Sequence, residues 1–504
     1  MKHFRRVSLL IALIAGIFSA AAFADQIPAS SVKAEGFSKN SSVTDSNRKT
    51  YATANAGNSV TISNDNGVDG IYVEFDRLPS GNWKVTDTEK NKTVSCGAEH
   101  FLHDFADLKQ LFGYAPKKVK LSFNTGSIVA DIYAYSGNIP DSVQRWQPYL
   151  EKADLVLMTT HSDDEQLFFA GLLPYYAIER KLDVQVVYFI QHFQINSKID
   201  HVRPHEQLDG LWTVGIKHYP YISGFPDVYG ENKNKDTALK QILSRFKAQG
   251  YTYDDFLGYT VGIIRRFKPQ VMVTHDLSGE YGHGAHVLNA DTCTKAMTVS
   301  GDASQFKDSA QKYGVWTPYK LYVHLYDKNQ ITMDWDTPYE SMGGNSAFQM
   351  TQKGWMHHKS QHYAWFYRWI LGTKSAPITK AAQIKTYSPC KYGLYFTTVG
   401  PDVNKNDMFE NIVPYAEQQA RLENSILEVN ESVNAVVKCL NANVIKDAAK
   451  SFNILPDEIN KLISREVEHR QNVIRISIVA TCVVLLVIIL GVIKGRKHKR
   501  RHKH

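Results

Sequence analysis

Hydrophobic positions along the chain fall into three kinds of block. Between residues 58 and 137 they alternate with polar ones, as in Ser59-Val-Thr-Ile-Ser63, Ile71-Tyr-Val-Glu-Phe75, Trp83-Lys-Val-Thr86, Val119-Lys-Leu-Ser-Phe123 and Ile128–Tyr135, with Gly- and Asn-rich breaks between. A period of two marks strands buried on one face. The spacing predicts a small antiparallel β-sandwich module over residues 58–140. From 150 to 370 the pattern changes. Short, mostly apolar runs (Leu155–Met158, Val184–Ile190, Val271–Thr274, Leu321–Leu325) alternate with helical stretches at Gln166–Leu173, Arg203–Val214, Asp254–Phe267, Val287 onward and Phe348–Trp365. Strands apolar at nearly every position are covered on both faces, and their alternation with helices predicts an α/β, Rossmann-like parallel sheet. The third kind of block is long, apolar and uncharged: Val7–Phe18 and Ile476–Ile493.

The two uncharged blocks set the expected topology. Lys2, Arg5 and Arg6 precede the first, and small residues ending Ala22-Phe-Ala24 follow it, the pattern of a signal peptide over residues 1–24. The second is flanked by Arg475 and Lys494, and reads as a transmembrane helix over 474–494. The basic stretch 495–504 stays in the cytoplasm by the positive-inside rule, which makes the expected protein a type I, single-pass membrane protein with its catalytic domain extracellular. Residues 25–57, rich in Ser, Ala, Asn and Lys, read as a linker. Residues 375–472 read as a mixed segment and then a helical stalk, with Glu417, Arg421, Asn424 and Glu428 on a polar face.

Charge adds one exclusion. The formal net charge is +8, but residues 1–24 carry three Lys/Arg without an acid and residues 494–504 carry seven. Taking both away leaves −2 for the body, so no nucleic-acid footprint is present. Of five cysteines, Cys482 lies in the apolar span. Export of Cys96, Cys293, Cys390 and Cys439 predicts at least one disulfide, and Cys390 with Cys439, both after the α/β region, is the pairing chosen.

Chemistry concentrates where two apolar runs end. The first is followed by His161-Ser-Asp163-Asp164-Glu165. Three adjacent acids repel unless a cation is present, and an imidazole beside carboxylates suits zinc or another first-row metal. Another run leads through His275 to Gly279-Glu-Tyr-Gly-His283-Gly-Ala-His286, with the last two histidines on one face of a helical turn. Polar clusters at the carboxyl ends of parallel strands are where open α/β sheets bind ligands.

These residues resemble the PIG-L/LmbE-like zinc-dependent de-N-acetylases. The family's His-Pro-Asp-Asp-Glu stands here as His161–Glu165, and its Gly-Glu-Tyr-Gly-His-Pro-x-His as Gly279–His286, with Ser162 and Gly284 in place of the two prolines. Weaker echoes are Arg203-Pro-His-Glu206, Gly224-Phe-Pro-Asp227 and His358-Lys-Ser360-Gln361. The resemblance implies that His161, Asp164 and His286 bind Zn²⁺, that Asp163 is the general base and that His283 polarises the substrate carbonyl. It places Arg203 and Asp227 at sugar hydroxyls, and Glu165 as an orienter of the loop. The implied substrate is an N-acetylated sugar or polysaccharide of the N-acetylglucosamine type. A surface glycan-binding protein or adhesin that has lost catalysis is the competing expectation. Tyr72, Trp83 and Tyr135 in the β-module suit glycan binding and core packing equally.

Overall fold

A computed structural model describes residues 25–191, 201–362, 365–400 and 403–439. The expected signal peptide, transmembrane helix, basic tail and distal stalk lie outside the described residues. Among the described residues no helix is long and apolar enough to cross a membrane. The chain to Ala416 forms one compact unit; Glu417 onward forms a second, described as far as Cys439 within the helix Tyr415–Cys439.

Nine strands make the N-terminal module: β1 (Asp25–Gln26), β2 (Val32–Phe37), β3 (Ala52–Ser63), β4 (Gly70–Phe75), β5 (Trp83–Asp87), β6 (Lys92–Cys96), β7 (His103–Asp107), β8 (Lys118–Ser122) and β9 (Ile128–Ser136). They bond in the order β6-β5-β8-β3-β9-β4-β7, with β1 added to β9 and β2 to β3, all antiparallel where paired. The alternation read from β5 and β8 holds: Trp83, Val85, Val119 and Leu121 are buried while Lys84, Lys118 and Lys120 are exposed. Residues 25–57, expected as a linker, instead supply β1, β2 and the start of β3. Their inward residues there include Ala52 and Ala54, too small to register as an apolar run. Trp83 is also core: it is 1% exposed and stacks on Phe123 at 5.8 Å.

Four strands of the second sheet fall on the predicted runs, β10 (Leu155–Thr159), β11 (Val184–Tyr188), β13 (Val271–Thr274) and β14 (Lys320–His324), and three fall outside them, β12 (Tyr221–Ile222), β15 (Gln330–Thr332) and β16 (Lys391–Thr397). Its order is β12-β11-β10-β13-β14-β16-β15. The first five are mutually parallel, and β16 and β15 close the edge antiparallel. All residues of β10, β11, β13 and β14 are buried. Side chains alternate between faces. Val156, Met158, Met272 and Leu321 pack with Phe246, Phe256, Ile264 and Leu288 on one side. Leu155, Leu157, Val273 and Tyr322 pack with Phe168, Leu208, Leu211 and Trp355 on the other.

The helices that matter for the site are α1 (Asp164–Leu167), α2 (Arg203–Thr213), α3 (Lys235–Lys247), α4 (Tyr253–Phe267), α5 (Gly284–Val299) and α6 (Ala347–Trp355). A Thr252/Asp255 capping box starts α4, and a Ser346/Gln349 box starts α6. The continuous helix expected over 166–173 is broken at Gly171, whose φ of +92° brings it against the Trp335 ring. The helix expected over 348–365 likewise ends at Trp355.

The β-module is keyed into this sheet through α2. Arg48 spans Glu74 of the module and Asp209 of α2, at 2.5 Å from each. His103 Nε2 lies 2.6 Å from His205 Nδ1, and Gln144 donates to Asp209 at 2.6 Å. Phe101 stacks on Tyr219 at 4.4 Å. Cys96, Cys293 and Cys390 are all buried free thiols, and burial pushes all three up to about 12; the Cys439 side chain of the expected Cys390–Cys439 bridge lies outside what is described. Among the described residues there is no disulfide.

Candidate active site

The site grows from the ends of β10 and β13. The two strands are adjacent and parallel, so both loops leave on the same side. The Thr160 N–H donates to His275 Nε2 at 3.0 Å, tying one loop to the other. Asn289 of α5 donates to Met158 O and Thr160 Oγ1, at 3.1 and 3.0 Å. The chain then turns sharply: Asp163 has φ +145°, a region L-residues rarely enter, and Asp164 begins α1.

Three of the sequence-chosen residues converge. His161 Nδ1 is 3.0 Å from His286 Nε2, and Asp164 Oδ2 is 3.2 Å from both. A tetrahedral zinc with bonds near 2.1 Å spaces its ligand atoms by about 3.4 Å, so this triangle, slightly tighter, has nearly the size of a zinc ligand face. Outer carboxylates set both rings. Glu280 Oε2 sits 2.8 Å from His286 Nδ1, which makes that nitrogen the N–H and leaves Nε2 bare toward the triangle. Asp227 Oδ1 does the same for His161, 3.5 Å from its Nε2. Two bare nitrogens and a carboxylate oxygen facing one another demand positive charge. The protonation preferences say so too. Burial works against a charged His286, yet Asp164 and Glu280 push it up to about 10. Burial likewise favours a neutral Asp164, yet His286 and His161 hold it well below the usual carboxylate range. The residues therefore fit a divalent zinc.

The remaining chosen residues surround the triangle. Burial, with Asp164 adding repulsion against the attraction of Arg203, raises the Asp163 carboxyl to about 6. A carboxylate at that value is suited to take up a proton near neutrality. Arg203 Nη2 lies 3.3 Å from Asp163 Oδ1, and its Nε donates to Ser162 Oγ at 3.0 Å. Arg203 is thus a brace of the loop in this structure. His283 rests edge-on to the His161 ring at 4.6 Å. Burial and the neighbouring His161 and His286 keep it well below its ordinary value, hence neutral. The two missing prolines leave hydrogen bonds behind: Ser162 Oγ accepts from Arg203, and the Gly284 N–H donates to Gly230 O at 2.7 Å.

A supporting layer was not chosen from the sequence. Glu280, fully buried, also accepts from His275 Nδ1 at 2.7 Å and lies 2.6 Å from His324 Nδ1. The His324 Nε2 faces Ser388 O at 3.0 Å. Burial favours a neutral Glu280, but His275 and its companions hold it well below its usual range. The available signal was position: His275 follows β13 and His324 ends β14, the same strand ends that carry the metal cluster. Tyr281, at φ +50°, packs on His283 and His286 at 5.6 Å from each.

No family model matches the chain. Curated relatives do. The chain is 27% identical over 181 residues to 1D-myo-inositol 2-acetamido-2-deoxy-alpha-D-glucopyranoside deacetylase 1 of Frankia alni, covering 33% of this chain and 60% of that protein. It is 25% identical over 170 residues to the deacetylase of the same name from Mycolicibacterium smegmatis, covering 30% and 56%. The chain thus spans somewhat more than half the length of these relatives. Among solved structures, N,N'-diacetylchitobiose deacetylase from Pyrococcus horikoshii aligns at 14% identity and a TM-score of 0.31, over 48% of this chain and 84% of that one.

Proposed function

We propose, from the premise that the chain belongs to the PIG-L/LmbE-like de-N-acetylases, that it hydrolyses the acetamide of an N-acetylated, glucosamine-type sugar with zinc as cofactor. The observation that carries the reading is the ligand triangle of His161, Asp164 and His286, with its tautomers set by Asp227 and Glu280. Zinc, when bound, supplies Lewis acidity and a water whose pKa is lowered to about 7.

The chain's own residues do the rest. Asp163 takes the proton of the attacking water and returns it to the leaving amine. Arg203 and the turn at Asp163 aim that carboxylate. Neutral His283 polarises the carbonyl and stabilises the oxyanion that develops on it. The buried Asp163/Asp164/Glu280 set is expensive to retain without a cation and without work to do, which argues against a binding protein with a vestigial site. The test is acetate release from N-acetylglucosamine conjugates by zinc-loaded protein, beside protein stripped by a chelator. Equal rates in the two preparations sink the reading.

The reading extends to place. The apolar stretches 7–18 and 476–493 support an extracellular enzyme anchored by one helix. Protease added to intact cells should then remove the enzyme and spare a tag after His504; loss of the tag reverses the orientation.

A further inference from the structure

We infer that His358 and Glu165 act as a positioning pair that locks the base Asp163 into its strained turn. The inference rests on the hydrolase reading of the site.

Asp163 at φ +145° needs its neighbours to fix it. Its carbonyl accepts from the Gln166 and Leu167 amides, at 2.9 and 3.0 Å. Its own N–H donates to Glu165 Oε2 at 2.9 Å, so the side chain two residues on closes the turn from behind. Glu165 is itself 1% exposed, and a carboxylate that deep must be met by charge. The partner is His358, whose Nε2 lies 3.1 Å from Glu165 Oε1 with both side chains fully buried. Burial works against a charged His358, but Glu165 first and then Asp163 and Glu206 raise it above its ordinary value. The contact is an ion pair rather than an aligned hydrogen bond, since neither atom has a partner of hydrogen-bond geometry.

The route by which His358 arrives shows that the slot is built. The residue follows α6 and lies over Trp355, ring centroids 5.8 Å apart at 26°. It reaches Glu165 past Gly210 of α2, where a Cβ would stand 2.8 Å from His358 Nε2. The same helix carries Arg203, which braces Asp163 from the other side. Neighbouring Ser360 donates from N and Oγ to Glu206, also on α2, at 2.9 and 2.5 Å. Two segments far apart in sequence are thus fastened to one helix, and the base sits between them. Neither Glu165 nor His358 belongs to the groups of ligand atoms that could hold a metal ion.

The experiment uses the zinc-loaded full chain and the variants Glu165→Ala, Glu165→Gln, His358→Ala, His358→Gln and the double alanine. Glu165→Gln keeps an acceptor for the Asp163 N–H, and His358→Gln keeps a donor for Glu165 at nearly the same volume. Both alanine variants should lower kcat by roughly 10- to 100-fold with zinc content and KM unchanged; Glu165→Gln, which keeps the acceptor and needs no counter-charge, should recover most of that loss, whereas His358→Gln, which removes the charge Glu165 needs, should recover little of it. The double variant should be no slower than Glu165→Ala alone, because the two residues act in series. Hydrogen exchange at the Asp163 amide should quicken by about tenfold or more in both alanine variants. A double variant whose loss is the product of the single losses overturns the pair, as does an unchanged Asp163 amide in His358→Ala, or zinc lost together with activity. Absence of acetate release by the wild type overturns the hydrolase reading instead, and the amide exchange then decides the pair on its own.

Discussion

Replacing Arg48 by alanine tests whether the β-module is a structural part of the catalytic body. Arg48 forks between two carboxylates: Nε and Nη2 on Glu74 at 2.8 and 2.5 Å, Nη1 and Nη2 on Asp209 at 2.5 and 3.2 Å. Glu74 is 3% exposed at its side chain and Asp209 16%, whereas Arg48 is 26% exposed. Removing the cation strands two buried acids beside each other, and breaking a buried pair in this way costs about 3–5 kcal/mol. Partial exposure of Arg48 places the expected loss at the lower end, about 3 kcal/mol. At about 2.1 cal/mol/K per residue, a cooperative unit running to Ala416 shifts its Tm by about 1 °C per kcal/mol, so the midpoint should fall by about 3 °C in a zinc-saturated thermal melt. The loss should depend on pH in a set direction. Burial favours a neutral Asp209, but Arg48 lowers its pKa. A depressed carboxylate stabilises above its unfolded value, about 3.9, and loses that contribution as pH falls through the folded one. The gap between wild type and variant should therefore be widest near neutrality and narrow below pH 4. A shift under 1 °C, or a separate early transition for the module alone, refutes the claim that module and α/β body unfold as one.

Further expectations follow from the site and from the buried thiols. His286→Ala should lose most of the bound zinc by elemental analysis. Asp163→Asn should keep the zinc and lose about 10²- to 10⁴-fold in turnover, and wild-type kcat/KM should rise with pH through about 6 as Asp163 ionises. Glu280→Gln, which weakens the carboxylate behind His286, should reduce zinc affinity by roughly 10- to 100-fold in a competition titration. Cys96, Cys293 and Cys390 should resist alkylation in the native protein and label once it is unfolded without reductant; a native mass lacking two hydrogens at any of them contradicts this.

What the sequence discloses follows the strength of local signal. Strands β10, β11 and β13 are legible because both faces are covered, so each is apolar at nearly every position. The metal cluster is legible because His161 and Asp164 are three residues apart, as are His283 and His286, and such spacings bring side chains to one place. Glu280 is harder: its three histidines come from residues 275, 286 and 324, and only tertiary packing unites them. Helix α3 is missing from the sequence-based expectations although its spacing is helical: Ala238, Ile242 and Phe246 are buried, and Leu239 and Leu243 pack half-buried beside them. Strands β1 and β2 escape because β2 alternates around Lys33, Glu35 and Gly36, and β1 is two residues long. The role given to Asp227 by position, at a sugar hydroxyl, is joined here by its contact with His161, which no spacing could reveal.

The arrangement around α2 has a consequence for how the protein is made. A ribosome delivers the chain from its N-terminus, and nearby segments begin to pair before distant ones exist. The module's strands are complete at Ser136, yet Arg48 and His103 wait for Asp209 and His205, some hundred and more residues later. His161 and Asp164 wait for His286, and the Glu280 support waits for His324 and then the Ser388 carbonyl. Every stopping point before His286 leaves the ligand triangle incomplete, and every one before Ser388 leaves its support incomplete. Under the proposed function, the complete site therefore assembles late, after nearly four hundred residues have been synthesised, and a chain that stops before His286 is expected to bind no zinc.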